Sequence, residues 1–193
     1  MLLILNICKH QLHYTEFIKP IEDIARKQEI PFDTIHYSKI KPQNAKKILG
    51  KYHRIIITGT SLKDMGYSKD LSKFKWLLSD IASDKPILGI CGGMQLLCMI
   101  HGCKLIKNPE IGLAKINFNA EFLGINGQRE VYALHNMAIK NDSILKKTFN
   151  IYSSGNKENL IIQAVKHKGN KHYGVLFHPE VRNKDLIVNF LSV

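Results

Sequence analysis

The sequence predicts an α/β fold: a mostly parallel sheet flanked by helices, with an added, partly antiparallel strand section. Three observations carry that expectation. Short apolar runs alternate with amphipathic stretches through the first half of the chain. Two of those runs, at 54–59 and 86–90, are compact and glycine-containing, as buried strands are. The second half holds closely spaced strand-like segments with little helix between them. Alternation of strand and helix is the pattern that covers both faces of a parallel sheet with helices.

Residues 1–7 are apolar and read as the first strand. They carry no basic leader and no small-residue cleavage site, so no signal peptide is expected. A helix follows at 15–28, a strand at 31–37 and a helix at 42–49. Arg54-Ile55-Ile56-Ile57-Thr58-Gly59 is the third strand, 70–82 an amphipathic helix, Pro86-Ile87-Leu88-Gly89-Ile90 the fourth strand and 92–100 the helix after it. Sheets of this kind place their sites beyond the carboxyl ends of the strands. Further strands are expected at 112–118, 129–134, 149–153, 160–167 and 173–177, with a closing helix at 183–191. No repeat, low-complexity tract or linker interrupts the pattern, so one domain is expected over residues 1–193.

Composition excludes several classes. Hydrophobic residues make up 45% of the chain, enough for a core without disulfides. No apolar run approaches the ~18 residues of a membrane helix, and a cytoplasmic location is expected. The net charge is +12, from 28 Lys and Arg against 16 Asp and Glu. Such a balance suits nucleic acid. The lysines are scattered, however, without a recognition motif, an arginine cluster or interleaved aromatics, so nucleic-acid binding is not expected. An acidic partner surface or an anionic acceptor fits the charge at least as well. Cys8, Cys91, Cys98 and Cys103 form no C-x-x-C pair. Cys98-Met99-Ile100-His101-Gly102-Cys103 is too few ligands for structural zinc, so no metal is expected. Cys98 reads as helix packing and Cys103 as lying past the helix end, both reduced.

Two constellations carry chemistry. Leu88-Gly89-Ile90-Cys91-Gly92-Gly93-Met94-Gln95 has the form G-x-C-x-G between a buried strand and a helix. It matches the nucleophile elbow, a strained strand-to-helix turn whose neighbours must be small. The turn places Cys91 at a helix N-terminus, where free N–H groups and the dipole favour a thiolate. The Gly92 N–H then faces an oxyanion forming beside the sulfur. The second constellation is Tyr173-Gly174-Val175-Leu176-Phe177-His178-Pro179-Glu180, an apolar strand running out into His-Pro-Glu. In extended chain, residues two apart face the same way, so Glu180 can hold the His178 imidazole. Nucleophile, base and orienter make a triad. His10 and His13 follow the first strand and lie near the expected site.

These residues resemble class I glutamine amidotransferases. The stretch 86–95 looks like that family's cysteine motif and 174–180 like its histidine–glutamate motif. The resemblance spans nearly the whole chain. It implies a flavodoxin-like sheet, a γ-glutamyl thioester on Cys91, L-glutamine as substrate, ammonia passed to a synthetase, and no cofactor. The strand 55–60 resembles the family strand whose following loop supplies the other oxyanion N–H, which implies Gly59 and Thr60 in the hole beside Gly92. Gln95 matches a glutamine-binding position, and His135-Asn136 resembles a His-Ser-like segment that contacts the glutamine main chain. Gly59-Thr60-Ser61-Leu62 departs from the family's usual Gly-Gly-Pro. Thr60 avoids positive φ, so the expectation is a resting hole left incomplete until a partner docks.

The chain reaches Val193 soon after the triad, with no nucleotide-binding or acceptor domain, so a separate synthetase subunit is expected. The alternative is a self-contained γ-glutamyl hydrolase using the same Cys91, His178 and Glu180. A non-enzymatic relative is argued against by the intact triad. Guanine nucleotide, chorismate-derived, carbamoyl phosphate, cell-wall and corrin amination all remain open as the acceptor chemistry.

Overall fold

The computed structural model describes residues 1–69, 71–155 and 161–193. Strands β1 (Leu2–Asn6), β2 (Phe32–His36), β3 (Arg54–Ile57) and β4 (Ile87–Ile90) run parallel, and β9 (His172–Val175) pairs parallel to β4. Their spatial order, β2-β1-β3-β4-β9, is the flavodoxin-like order with β9 in fifth place. β1, β3 and β4 are almost wholly apolar because both of their faces are covered, whereas β2 at the sheet edge carries Asp33, Thr34 and His36. Leu2, Ile4, Ile56 and Leu88 pack under α1 (Tyr14–Phe17), α2 (Lys19–Lys27) and α7 (Lys184–Phe190). Leu3, Leu5, Ile55 and Ile57 pack under α3 (Pro42–Leu49), α4 (Asp80–Ser83) and α5 (Gly92–Ile100). Each such fully buried Leu or Ile is worth about 1.5–3 kcal/mol of transfer energy.

Two helix expectations need correction. The helix expected at 15–28 breaks at Ile18, between α1 and α2. Pro20 has no N–H to continue the ladder, and it sits in the first turn of α2, where none is needed. The helix expected at 70–82 begins at Asp70, outside the described residues. From Leu71 to Leu78 the chain is a 3-10 helix, followed by the short α4. Leu71, Phe74 and Leu77 recur every three residues, and 3-10 winding puts that period on one face against the core.

The added section is antiparallel throughout, in the order β9-β8-β7-β5-β6. Its main feature is a hairpin far longer than the segments expected at 112–118 and 129–134. β5 runs Leu105–Phe122 and β6 runs Ile125–Ile139. Leu123 (φ 49°) and Gly124 (φ 75°) turn it in two residues, with both φ positive as a tight hairpin requires. β7 (Phe149–Ser154) and β8 (Ile162–His167) complete the sheet. Leu160, the expected start of β8, lies outside the described residues. Helix α6 (Ser143–Thr148) was not anticipated; the Asp142 carboxylate caps it, accepting from the N–H groups of Ile144 and Leu145 at 3.1 Å each. Among the described residues no helix is long and apolar enough to cross a membrane.

Candidate active site

Cys91 stands between β4 and α5 with φ 48° and ψ −103°, a conformation L-residues avoid. Strain of this kind costs about 1–3 kcal/mol and needs a rigid surround. Here the Cys91 N–H donates to the Val175 carbonyl at 2.7 Å and the Cys91 carbonyl accepts from Gln95 N–H at 3.0 Å. Both flanking glycines are required by close approach. A Cβ on Gly89 would lie 2.6 Å from the Gly93 carbonyl carbon and the Met94 nitrogen. One on Gly93 would overlap the Ile57 carbonyl of the neighbouring strand. The elbow thus holds the sulfur, almost fully buried, at the start of α5, where the first N–H groups have no partner within the helix. The thiol donates weakly to the Leu134 carbonyl at 3.6 Å.

His178 and Glu180 come together differently from the sequence expectation. β9 ends at Val175, two residues before the expected 177, and the pair sits in a turn rather than on extended chain. The Val181 N–H donates back to the His178 carbonyl at 3.2 Å, with Pro179 in the second position of the turn. The turn still joins the two groups: His178 Nδ1 lies 2.7 Å from Glu180 Oε1, both residues 1% exposed. Burial pushes the imidazole pKa down. The Glu180 carboxylate and the adjacent Cys91 sulfur outweigh it and hold the pKa well above the ordinary histidine value. With Nδ1 committed to Glu180, Nε2 is the nitrogen left for the thiol, and it makes no other hydrogen bond among the described residues. Phe17 closes the other side of the ring, 5.4 Å between centroids.

Gly59 is brought against the His178 ring: a Cβ there would lie 2.6 Å from Cε1. Neither Gly59 nor Thr60 has positive φ, so Thr60 carries no backbone strain in place of a second glycine. Thr60, Gly92, Gln95, His135 and Asn136 all border the same cavity as Cys91. That cavity holds only about 10 Å³, the limit for a single water. The polar side chains on its wall are engaged by the protein. Gln95 accepts from the Tyr67 hydroxyl and donates to the Met137 carbonyl at 2.8 Å. Asn136 donates to the Leu62 carbonyl at 3.0 Å. His135 donates from Nδ1 to the Asn108 carbonyl at 3.0 Å, with Nε2 3.3 Å from the Glu110 carboxylate. The contact with His135 is the chief reason Glu110 titrates below the usual carboxylate range, despite its partial burial.

A second cavity, of about 780 Å³, opens beside the first and shares Ser61, Leu62, Met65 and Leu134 with it. His10 and His13 line this larger space, as does Asp64. Sequence reasoning passed over Asp64, Tyr67 and Phe17. No motif marks them; the one available signal was that residues 61–67 follow a strand whose end was already expected to border the site. Among the described residues no three His, Cys, Asp or Glu side chains are placed to hold a metal.

Such an elbow and buried His–Glu pair on a flavodoxin-like sheet have the geometry that a nucleophile with a base and an orienter requires. The chain belongs to the glutamine amidotransferase class-I family, whose description matches residues 13–191. It is a glutamine-hydrolysing amidotransferase subunit. One relative, from Sulfurisphaera tokodaii, is a subunit of the glutamine-hydrolysing GMP synthase; it is 31% identical over 157 residues, covering 76% of this chain and 77% of the relative. The same subunit from Methanosphaera stadtmanae is 28% identical over 170 residues, covering 83% and 81%. A crystal structure from Thermoplasma acidophilum, provisionally described as a GMP synthase subunit, superposes with a TM-score of 0.77 at 21% identity, covering all of this chain and 93% of the other.

Proposed function

We propose that this chain, as one domain, is the glutaminase subunit of a two-subunit GMP synthase, with Cys91 as nucleophile, His178 as proton carrier and Glu180 as its orienter. The observation that carries the chemistry is the strained Cys91 elbow beside a buried imidazole held at Nδ1 by a carboxylate. The thiolate adds to the γ-carboxamide carbon of glutamine, and the resulting oxyanion faces the N–H groups of Thr60 and Gly92. The imidazolium gives its proton to the departing ammonia, leaving the γ-glutamyl thioester. Water then adds to the thioester, His178 takes the water's proton, and glutamate leaves as the thiolate returns. Glu180 keeps the imidazole in one tautomer and stabilises its charged form.

The choice of acceptor rests on the curated GMP synthase relatives. A cytoplasmic setting, where Cys91 stays reduced, accords with it. The γ-glutamyl hydrolase alternative differs in requiring full turnover by the lone chain. The space beside Cys91, at about 10 Å³ too small for glutamine, supports a lone chain that turns over slowly until a synthetase docks. The test has two arms. Cys91→Ala should remove glutaminase activity while the fold persists, and a glutamine-like electrophile should label Cys91 and spare Cys98 and Cys103. Substantial turnover by Cys91→Ala would refute the triad. Addition of the GMP-forming synthetase from the same genome should raise the rate. Indifference to it, with lone turnover already near ~10 s⁻¹, an ordinary enzyme rate, would refute a place in a two-subunit GMP synthase.

A further inference from the structure

The loop that follows β3 is tied to the loop that follows β1, and one buried side chain makes most of the connection. Asp64 is 6% exposed. Its Oδ2 accepts from the Lys9 N–H at 2.6 Å and from the Thr60 hydroxyl at 3.0 Å. Its Oδ1 accepts from the Gly66 N–H at 3.3 Å, and His13 Nδ1 lies 3.7 Å from Oδ2. A turn in which Asp64 N–H donates to the Ser61 carbonyl at 2.9 Å folds the carboxylate back over Thr60. The Cys8 thiol adds a second tie, donating to the Gly59 carbonyl at 3.4 Å. On its other side Thr60 meets the elbow: its Cγ2 would lie 3.2 Å from a Cβ on Gly92.

We infer that Asp64 is a positioning residue for glutamine hydrolysis, a clamp on the Thr60 hydroxyl that fixes where the Thr60 N–H faces relative to Cys91. Thr60 stands where the family usually has glycine. Its hydroxyl offers the carboxylate a handle that glycine lacks, and once χ1 is pinned on one side and the methyl meets Gly92 on the other, the peptide unit has little freedom left. Burial pushes the Asp64 pKa up, but the N–H and hydroxyl donors and His13 more than offset it, so the carboxylate stays ionised and accepts from all three donors at once. Asparagine in its place would turn an N–H₂ donor towards one of those partners.

The inference rests on Thr60 serving the oxyanion hole, so its test must separate the hole from the thiol. Thr60→Val removes the hydroxyl at nearly constant shape, Thr60→Ser keeps it, and Asp64→Asn removes one acceptor. Glutaminase kcat and KM are measured beside the rate at which iodoacetamide alkylates Cys91, a displacement of iodide that forms no oxyanion. Thr60→Val and Asp64→Asn should lower kcat by roughly tenfold to 10²-fold, the lower part of the range for losing an oxyanion donor. KM and the alkylation rate should stay within about twofold, and Thr60→Ser should restore kcat. Unchanged kcat in Thr60→Val overturns the clamp. So does a parallel fall in kcat and alkylation, which would mean general damage to the site. Should Asp64→Asn fail to fold, the Thr60 pair still decides. Failure of the triad reading is visible separately, as wild-type protein that keeps its turnover after Cys91 is fully alkylated.

Discussion

Replacing Gly59 by alanine adds one carbon at the point where the loop after β3 meets the base. The new Cβ would sit 2.6 Å from His178 Cε1 and 3.2 Å from Nδ1, with Phe17 Cδ1 at 3.4 Å. Carbon atoms pack at about 3.5 Å, so the imidazole must retreat by roughly 0.9 Å or the loop must lift. The ring has nowhere to go: it is 1% exposed, bonded to Glu180 at 2.7 Å and backed by Phe17. Overpacking of this kind costs about 1–3 kcal/mol of stability. For a chain of this size that lowers the melting temperature by roughly 2–12 °C. Catalysis should suffer more, because a misplacement near 1 Å costs about 10²-fold. Steady-state glutaminase kinetics and thermal unfolding, run on Gly59→Ala and on Gly169→Ala as control, test this. A Cβ at Gly169 meets His167 only at 3.7 Å, an ordinary contact, and that variant should behave as wild type. A Gly59→Ala protein with wild-type kcat would refute the geometry argued for the base.

Three further outcomes are expected. Cys91→Gly should be inactive yet more stable than Cys91→Ala by about 1 kcal/mol in chemical denaturation, since both lose the thiol and only glycine relieves ~1–3 kcal/mol of strain, more than its added chain entropy; a Cys91→Gly protein less stable than Cys91→Ala would show that the elbow is not strained. Glu180→Gln should keep some turnover while His178→Ala keeps almost none, and the His178 titration followed by NMR should move down, since the carboxylate holds it up. The stability this pair contributes is complete below the unfolded histidine pKa and is lost as pH rises through the folded one. His101, His167 and His172 cluster with ring centroids 4.7 and 5.9 Å apart. Burial, aided by its two neighbours, pulls His101 down to about 4, and burial lowers the others as well. Folded-state stability should therefore fall as pH drops from about 6.5 towards 4, and His101→Phe should flatten that slope in denaturation curves at stepped pH.

The parallel half of the fold was legible because its strands are buried on both faces. Ile55-Ile56-Ile57 and Ile87-Leu88 are short β-branched and aliphatic runs of the kind a doubly covered strand uses, and helix α5 begins and ends where its pattern says. The antiparallel half was read in fragments. β5 alternates buried and exposed positions unevenly, with Ile111 and Leu113 65% and 62% exposed, so its apolar residues do not mark a single face. The residues of the proposed triad were legible through glycine spacing and the His-Pro-Glu run. Asp64 did not, because its role depends on a turn bringing it to Lys9 across 55 residues of sequence. Gly59 was legible through the resemblance, but its close approach to His178 was not. That contact leaves no room for a Cβ, and it joins residues 119 positions apart.

The place of β9 in the sheet bears on how activity arrives during folding. It pairs with β4 on one side and β8 on the other, so the strand that leads to His178 is an interior strand supplied late in the chain. The register Ile87↔His172 closes a long loop, and contacts of such sequence separation form slowly. A chain emerging from synthesis can lay down β1 to β4 and the Cys91 elbow while its imidazole has not yet been made. Until β9 slots between its neighbours, the cysteine has neither its base nor the Val175 carbonyl that anchors its N–H. In refolding experiments, recovery of helix and of native fluorescence should therefore precede recovery of turnover, and the interval between them measures the insertion of a single strand.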